Sequence, residues 1–185
     1  TGQRMNPSDL FLPVDSLTHS YVLTLTLAAL FSGASVAINS VAGPGVDIAL
    51  AARNVAPTII VASAETAAKL HSNTSASVAG SLKKFAHSIQ TKALDAGRMP
   101  AETILTRLNA PKRAAVGATP GKLRLLFVSE RAGADTPPLS SSDLSDLRVY
   151  TGARVIYALT AAQVCGAVAQ TNIYDYRREA GTKHS

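Results

Sequence analysis

The sequence is poor in the residues that most often announce a chemistry. Cys165 is the single cysteine among 185 residues. An intrachain disulfide and a cysteine-built zinc cluster are therefore excluded, and a reducing, intracellular setting is the simpler reading. No GxGxxG dinucleotide fingerprint, GxSxG elbow or HExxH pair occurs anywhere in the chain. The four histidines, His19, His71, His87 and His184, stand far apart in sequence, so no metal site is expected. Aromatic residues make up only 5% of the chain, and the basic middle holds only Phe85 and Phe127. Single-strand nucleic-acid binders interleave more stacking residues than this, which argues against nucleic acid as a partner.

Charge is scarce too. From residue 16 to residue 46 there is no Asp, Glu, Lys or Arg, and "YVLTLTLAALFSGASVAI" has the hydropathy of a membrane span. Ser32, Gly33 and Ser35 interrupt it, however, and no basic cluster flanks it. A buried helix followed by a buried strand accounts for the same letters, and no transmembrane span is expected. A secretory signal is disfavoured because no basic n-region precedes the apolar run. The chain opens on Thr1 and reads as a piece of a longer protein.

What charge there is gathers in the middle. The net charge is +6, and ten of the eighteen basic residues lie between Lys83 and Arg131, against three acidic ones. Lys83, Lys84, Lys92, Lys112 and Arg113 are the candidate contacts for an anionic surface. A solvated helical face is the bland reading of the same lysines. A protein partner or an anionic membrane surface is the expected alternative.

The order of elements is that of an α/β protein. "SYVLTLTLAALFSG" reads as a helix stopped at Gly33, and "ASVAIN" as a strand. "VDIALAARNV" has helical spacing up to Pro57, "TIIVA" is a strand, and "SAETAAKLH" is a helix opened by Ser63. Then "KLRLLFVS", "SSSDLSDLRVYTG" and "ARVIYAL" read as strand, helix and strand, with "GAVAQTN" a further strand. Such alternation predicts a doubly wound, mostly parallel sheet in one domain over residues 1–185. Residues 72–121 form a helical basic insertion within it. Inside that insertion "SLKKFAHSIQTKALDAG" predicts an amphipathic helix with Leu82, Phe85, Ile89 and Leu94 on its core side. "GATPGK" at 117–122 departs from the phosphate-loop pattern and reads as a surface turn.

Over residues 8–172 the chain resembles the adenylate-forming (AMP-binding) superfamily. "DLFLPVDSLTHSYVLTLTLAALFSGASVAI" is similar to the stretch where a Pro-Leu-Ser-His motif begins a helix leading to a Gly-Ala strand. "VDIALAARNVAPTIIVASAETAAKLH" resembles the segment where a Pro-Thr strand precedes a helix ending in Lys-Leu. "GKLRLLFVSERAGADTPPL" looks like the adenine-cradling strand and loop, and "TGARVIYALTAAQV" like the strand ending in Tyr-Gly-x-Thr-Glu. The basic insertion is most like that of long-chain acyl-CoA synthetases.

The resemblance implies the large N-terminal subdomain fold, with a nucleotide-binding role for Tyr157 and Thr160 and an acyl-pocket role for His19. It also shows departures. Ala158 stands for a glycine, Thr18 for the serine before the histidine, and "SERAGADTPP" lengthens a short turn. Above all, Ala161 replaces the glutamate that holds magnesium, and a methyl offers a metal no ligand. The family's phosphate loop would lie upstream of Thr1, and its catalytic lysine beyond Ser185. The expectation is thus a non-catalytic acyl-CoA-synthetase-like domain, a binding or scaffold module of a larger protein, in the cytoplasm or on the cytosolic face of an organelle membrane. It expects no catalytic residue, no metal and no cofactor for this chain. The alternative is the central fragment of an active long-chain fatty acid–CoA ligase, for which ATP, magnesium and coenzyme A would be required.

Overall fold

The computed structural model describes residues 4–38, 42–52, 54–78, 80–100, 123–135 and 137–174. Six strands form one sheet: β1 (Leu10–Pro13), β2 (Ser35–Val36), β3 (Ile59–Ser63), β4 (Leu125–Arg131), β5 (Arg154–Thr160) and β6 (Ala167–Gln170). Their order is β2-β1-β3-β4-β5-β6, parallel throughout except for the antiparallel β6. Among the described residues the helices are α1 (Ser20–Phe31), α2 (Ile48–Ala51), α3 (Ala64–Ser77), α4 (Ser81–Asp95) and α5 (Ser141–Thr151). This is a doubly wound α/β fold, as the alternation of elements predicts.

Period-two alternation assigns each strand residue a face. Leu12, Ile60, Ala62, Leu126, Val128 and Val155 pack on one side against Ile48 of α2, Ala67 and Leu70 of α3, and Leu144 and Leu147 of α5. Phe11, Ile59, Val61, Leu125, Phe127 and Ile156 point the other way, against Tyr21, Val22 and Ala29 of α1. All five residues of β3 are buried, the state that a central parallel strand covered on both faces requires.

Local signals set the element ends. Gly33 (φ 74°) and Gly152 (φ 66°) follow α1 and α5 in the left-handed conformation, which costs glycine no Cβ clash. Ser63 accepts from the Thr66 N–H to open α3, and Ser140 with Asp143 forms a full capping box on α5. Asp9, at the foot of β1, takes Arg124 Nε and Nη2 at 2.7 and 2.5 Å and Thr58 Oγ1 at 2.9 Å. That bond from Arg124 outweighs burial and holds the carboxyl below its usual range.

Two expectations need correcting. The helix read as ending near His71 runs on to Ser77. On α4 the docked side carries Ala86, Gln90, Thr91 and Leu94, whereas Leu82, Phe85 and Ile89 are exposed. Only Leu94 of the expected core side reaches the interior, where it meets Val78, Val149 and Tyr150. A helical repeat fixes which residues share a face, but α5 offers α4 a surface of Asp146 and Tyr150 that selects the polar neighbours. Among the described residues, no helix is long and apolar enough to cross a membrane.

Candidate functional site

Strand order reverses at β1, since β2 lies on one side of it and β3 on the other. The chain leaves β1 toward α1 on one face and leaves β3 toward α3 on the opposite face. Loops diverging in this way open a crevice beyond the carboxyl ends of the strands, where doubly wound sheets bind ligands. A cleft of about 210 Å³ lies at that end, lined by His19, Tyr21, Ser129, Arg131, Thr160 and Ala161 among others.

Its polar wall starts from Asp15, just past β1, whose side chain is fully buried. Arg131, the last residue of β4, brings Nη2 to 3.2 and 3.3 Å from the two carboxylate oxygens. His19 Nδ1 lies 3.3 Å from Asp15 Oδ1 and 3.1 Å from Arg131 Nη2. Asp15 also accepts the Ser16 N–H at 2.8 Å. The carboxylate thus ties the β1–α1 loop to the end of β4 and fixes both side chains that face the cleft. Tyr21 adds a buried hydroxyl with no protein partner, and burial pushes its phenol up to about 12.

Thr160, the cross-strand neighbour of Arg131, also lines the cleft and donates Oγ1–H to the Glu130 carbonyl at 2.8 Å. Ala161 follows it on the rim. The position at which the resemblance implies a metal-holding glutamate therefore does reach the cleft, but presents a methyl. Asp15, the buried carboxylate beside the cleft, is already engaged by Arg131 and His19. Among the described residues the cleft is lined by hydroxyls but by no free carboxylate, and this donor set does not fit a magnesium ion, which protein sites hold through one or two carboxylates.

The structure brings His19 and Thr160 together and leaves Tyr157 apart. Tyr157 packs with the cluster on the α2–α3–α5 face. Its hydroxyl donates to the Glu130 carboxylate and accepts the Leu139 N–H at 3.3 Å. Burial first, and the neighbouring Glu130 next, raise that phenol well above its ordinary value. Lys83, Lys84 and Lys92 lie on exposed positions of α4. Lys112 and Arg113 fall outside the described residues.

Sequence reasoning missed a second polar cluster. Between α3, α4 and α5, Asp146 receives His71 Nε2 at 3.1 Å and His87 Nε2 at 3.0 Å, one on each oxygen. The Tyr150 ring stacks on His87, with centroids 5.3 Å apart, and its hydroxyl meets Ser75 Oγ at 3.1 Å. Two of the histidines that stand apart in sequence therefore gather in space. Both offer Nε2 to the same carboxylate, and no group of residues described here is arranged to hold a metal. Asp15 and Arg131 were likewise overlooked, because an Asp after a strand and an Arg ending another carry no local signature.

The six-stranded, mostly parallel sheet with helices on both faces matches the N-terminal subdomain of adenylate-forming enzymes. A benzoate CoA ligase from Burkholderia xenovorans LB400 superposes with a TM-score of 0.52 at 14% identity, over 90% of this chain and 25% of its own. The anthranilate CoA ligase AuaEII, solved with anthranoyl-AMP, gives 0.51 at 11% identity, over 91% of this chain and 24% of that one. VinN, solved with L-aspartate, gives 0.53 at 16% identity, over 96% and 33%. At these identities the likeness is one of fold. The chain spans a quarter to a third of the length of these structures. No protein-family model matches the sequence, and no curated protein matches it either.

Proposed function

We propose that this chain is a non-catalytic acyl-CoA-synthetase-like domain that serves a larger protein as a binding or scaffold module. The observation that carries this reading is Ala161 on the rim of the cleft, with the carboxylate of Asp15 committed to Arg131 and His19. Adenylation needs a metal to neutralise phosphate charge, and a cleft lined by hydroxyls but by no free carboxylate lacks the anionic ligand that would position one. Tyr157 supports the same reading. A ring held by Glu130 and Leu139 on the far face of the sheet is not free to stack on a base in the cleft. The retained features serve rigidity instead: a buried carboxylate tied to Arg131, a capped α5 and a continuous six-stranded sheet.

The competing reading is the central fragment of an active ATP-dependent ligase, and the long-chain acyl specificity suggested by the basic insertion belongs to it. His19 and Thr160 lining one cleft favour it. Calorimetry of the full-length protein with ATP, with and without magnesium, separates the two. The module reading expects no magnesium-dependent heat. Micromolar, magnesium-dependent binding would overturn it.

A further inference from the structure

We propose that α4 is a docking helix that lays its outer face on an anionic lipid surface. Leu82, Phe85 and Ile89 follow one another at spacings of three and four, so they share one face. They are 78, 60 and 44% exposed, whereas the side turned to α5 buries Ala86, Gln90 and Thr91. A helix that turns glutamine and threonine inward and three large apolar side chains outward keeps its main apolar surface for something else. Its charge says what. Lys84 and Lys92 are exposed on α4, Arg98 is exposed just beyond it, and Asp95 is the only acidic residue within it. Lys83 sits at the same end, donating to the Ser77 carbonyl at 3.1 Å.

An apolar stripe beside cationic side chains fits an acidic bilayer interface, where the stripe enters the acyl boundary and the ammonium groups meet headgroups. An apolar groove on a protein would need the stripe but not the lysines. The bond from His87 to Asp146 and its stacking on Tyr150 hold α4 to α5, so the face is presented from a rigid support. This inference is independent of whether the cleft is catalytic, and its failure would leave the ATP measurement untouched.

The test is co-sedimentation of this chain with phosphatidylcholine vesicles, with and without phosphatidylserine, at low and high salt. Binding should require phosphatidylserine and weaken with salt. Each of Lys84→Glu and Lys92→Glu should weaken it about fivefold or more. The double variant Leu82→Ser/Phe85→Ser should lose at least about tenfold with an unchanged thermal midpoint, because both side chains are already exposed. Absence of lipid-dependent sedimentation would overturn the proposal in favour of a protein partner. Binding that survives the double variant would overturn it as well. A clear fall in the double variant's midpoint would show that the stripe is covered by this chain itself, which is equally fatal.

Discussion

Asp15 and Arg131 pair at the carboxyl end of the sheet although 116 residues separate them, with Nη2 at 3.2 and 3.3 Å from the two oxygens. The two ends of the pair are unequal. The Asp15 side chain is fully buried, while that of Arg131 is 40% exposed.

This inequality predicts an asymmetric mutational response. Arg131→Met leaves a buried carboxylate with only the Ser16 N–H and His19, and should cost about 3 kcal/mol. Asp15→Asn frees a guanidinium that can turn to water, and should cost about 1–2 kcal/mol. Urea unfolding midpoints for the two variants check the order. Equal losses would mean that packing, not the stranded charge, dominates.

Ala161→Glu should not by itself create magnesium-dependent ATP binding. A carboxylate there would meet the Arg131 guanidinium across the same cleft, and Tyr157 would remain on the other face of the sheet. One restored ligand supplies charge without the positioning that phosphate chemistry also needs. Calorimetry of the variant beside wild type is the measurement. Magnesium-dependent heat from the variant alone would mark a site one residue short of function.

The cluster between α3, α4 and α5 predicts a pH dependence of stability. The hydrogen bond from Asp146, aided by the charges of Asp143 and Asp146 and opposed by burial, raises His71 above 6.5. Protonated His71 therefore stabilises the fold fully below pH 6.5, and its contribution fades as pH climbs through the raised value. Asp146 behaves oppositely. Burial pushes its carboxyl up, but the bonds from His71 and His87 outweigh this and hold it below the ordinary 3.8. Its contribution is present above 3.8 and is lost only in strong acid as pH falls through the depressed value. Thermal midpoints should accordingly fall from pH 6 to pH 8 in the wild type. Asp146→Asn should lower the midpoint at pH 6 and flatten that slope. A slope unchanged in the variant would assign the pH effect elsewhere.

Much of the fold was legible because it is written in short-range terms. β-Branched runs such as "TIIVA", serine caps at Ser63 and Ser140, and glycines at Gly33 and Gly152 fix where elements start and stop. Their alternation then leaves few topologies, since parallel crossovers share one hand. These choices are made between residues a few positions apart, and the sequence alone settles them.

The site was decided elsewhere. His19 and Thr160 share a cleft only because β1 and β5 end at the same edge of one sheet. Tyr157 falls on the opposite face because strand side chains alternate, so a three-residue offset from Thr160 separates the two. His71 and His87 reach Asp146 across 75 and 59 residues of chain. The amphipathic pattern of α4 was visible in its letters, but not which half of the helix would dock. A helical repeat defines a face and leaves its direction open. Only the neighbour that packs against it, here Asp146 and Tyr150 of α5, turns Leu82, Phe85 and Ile89 outward.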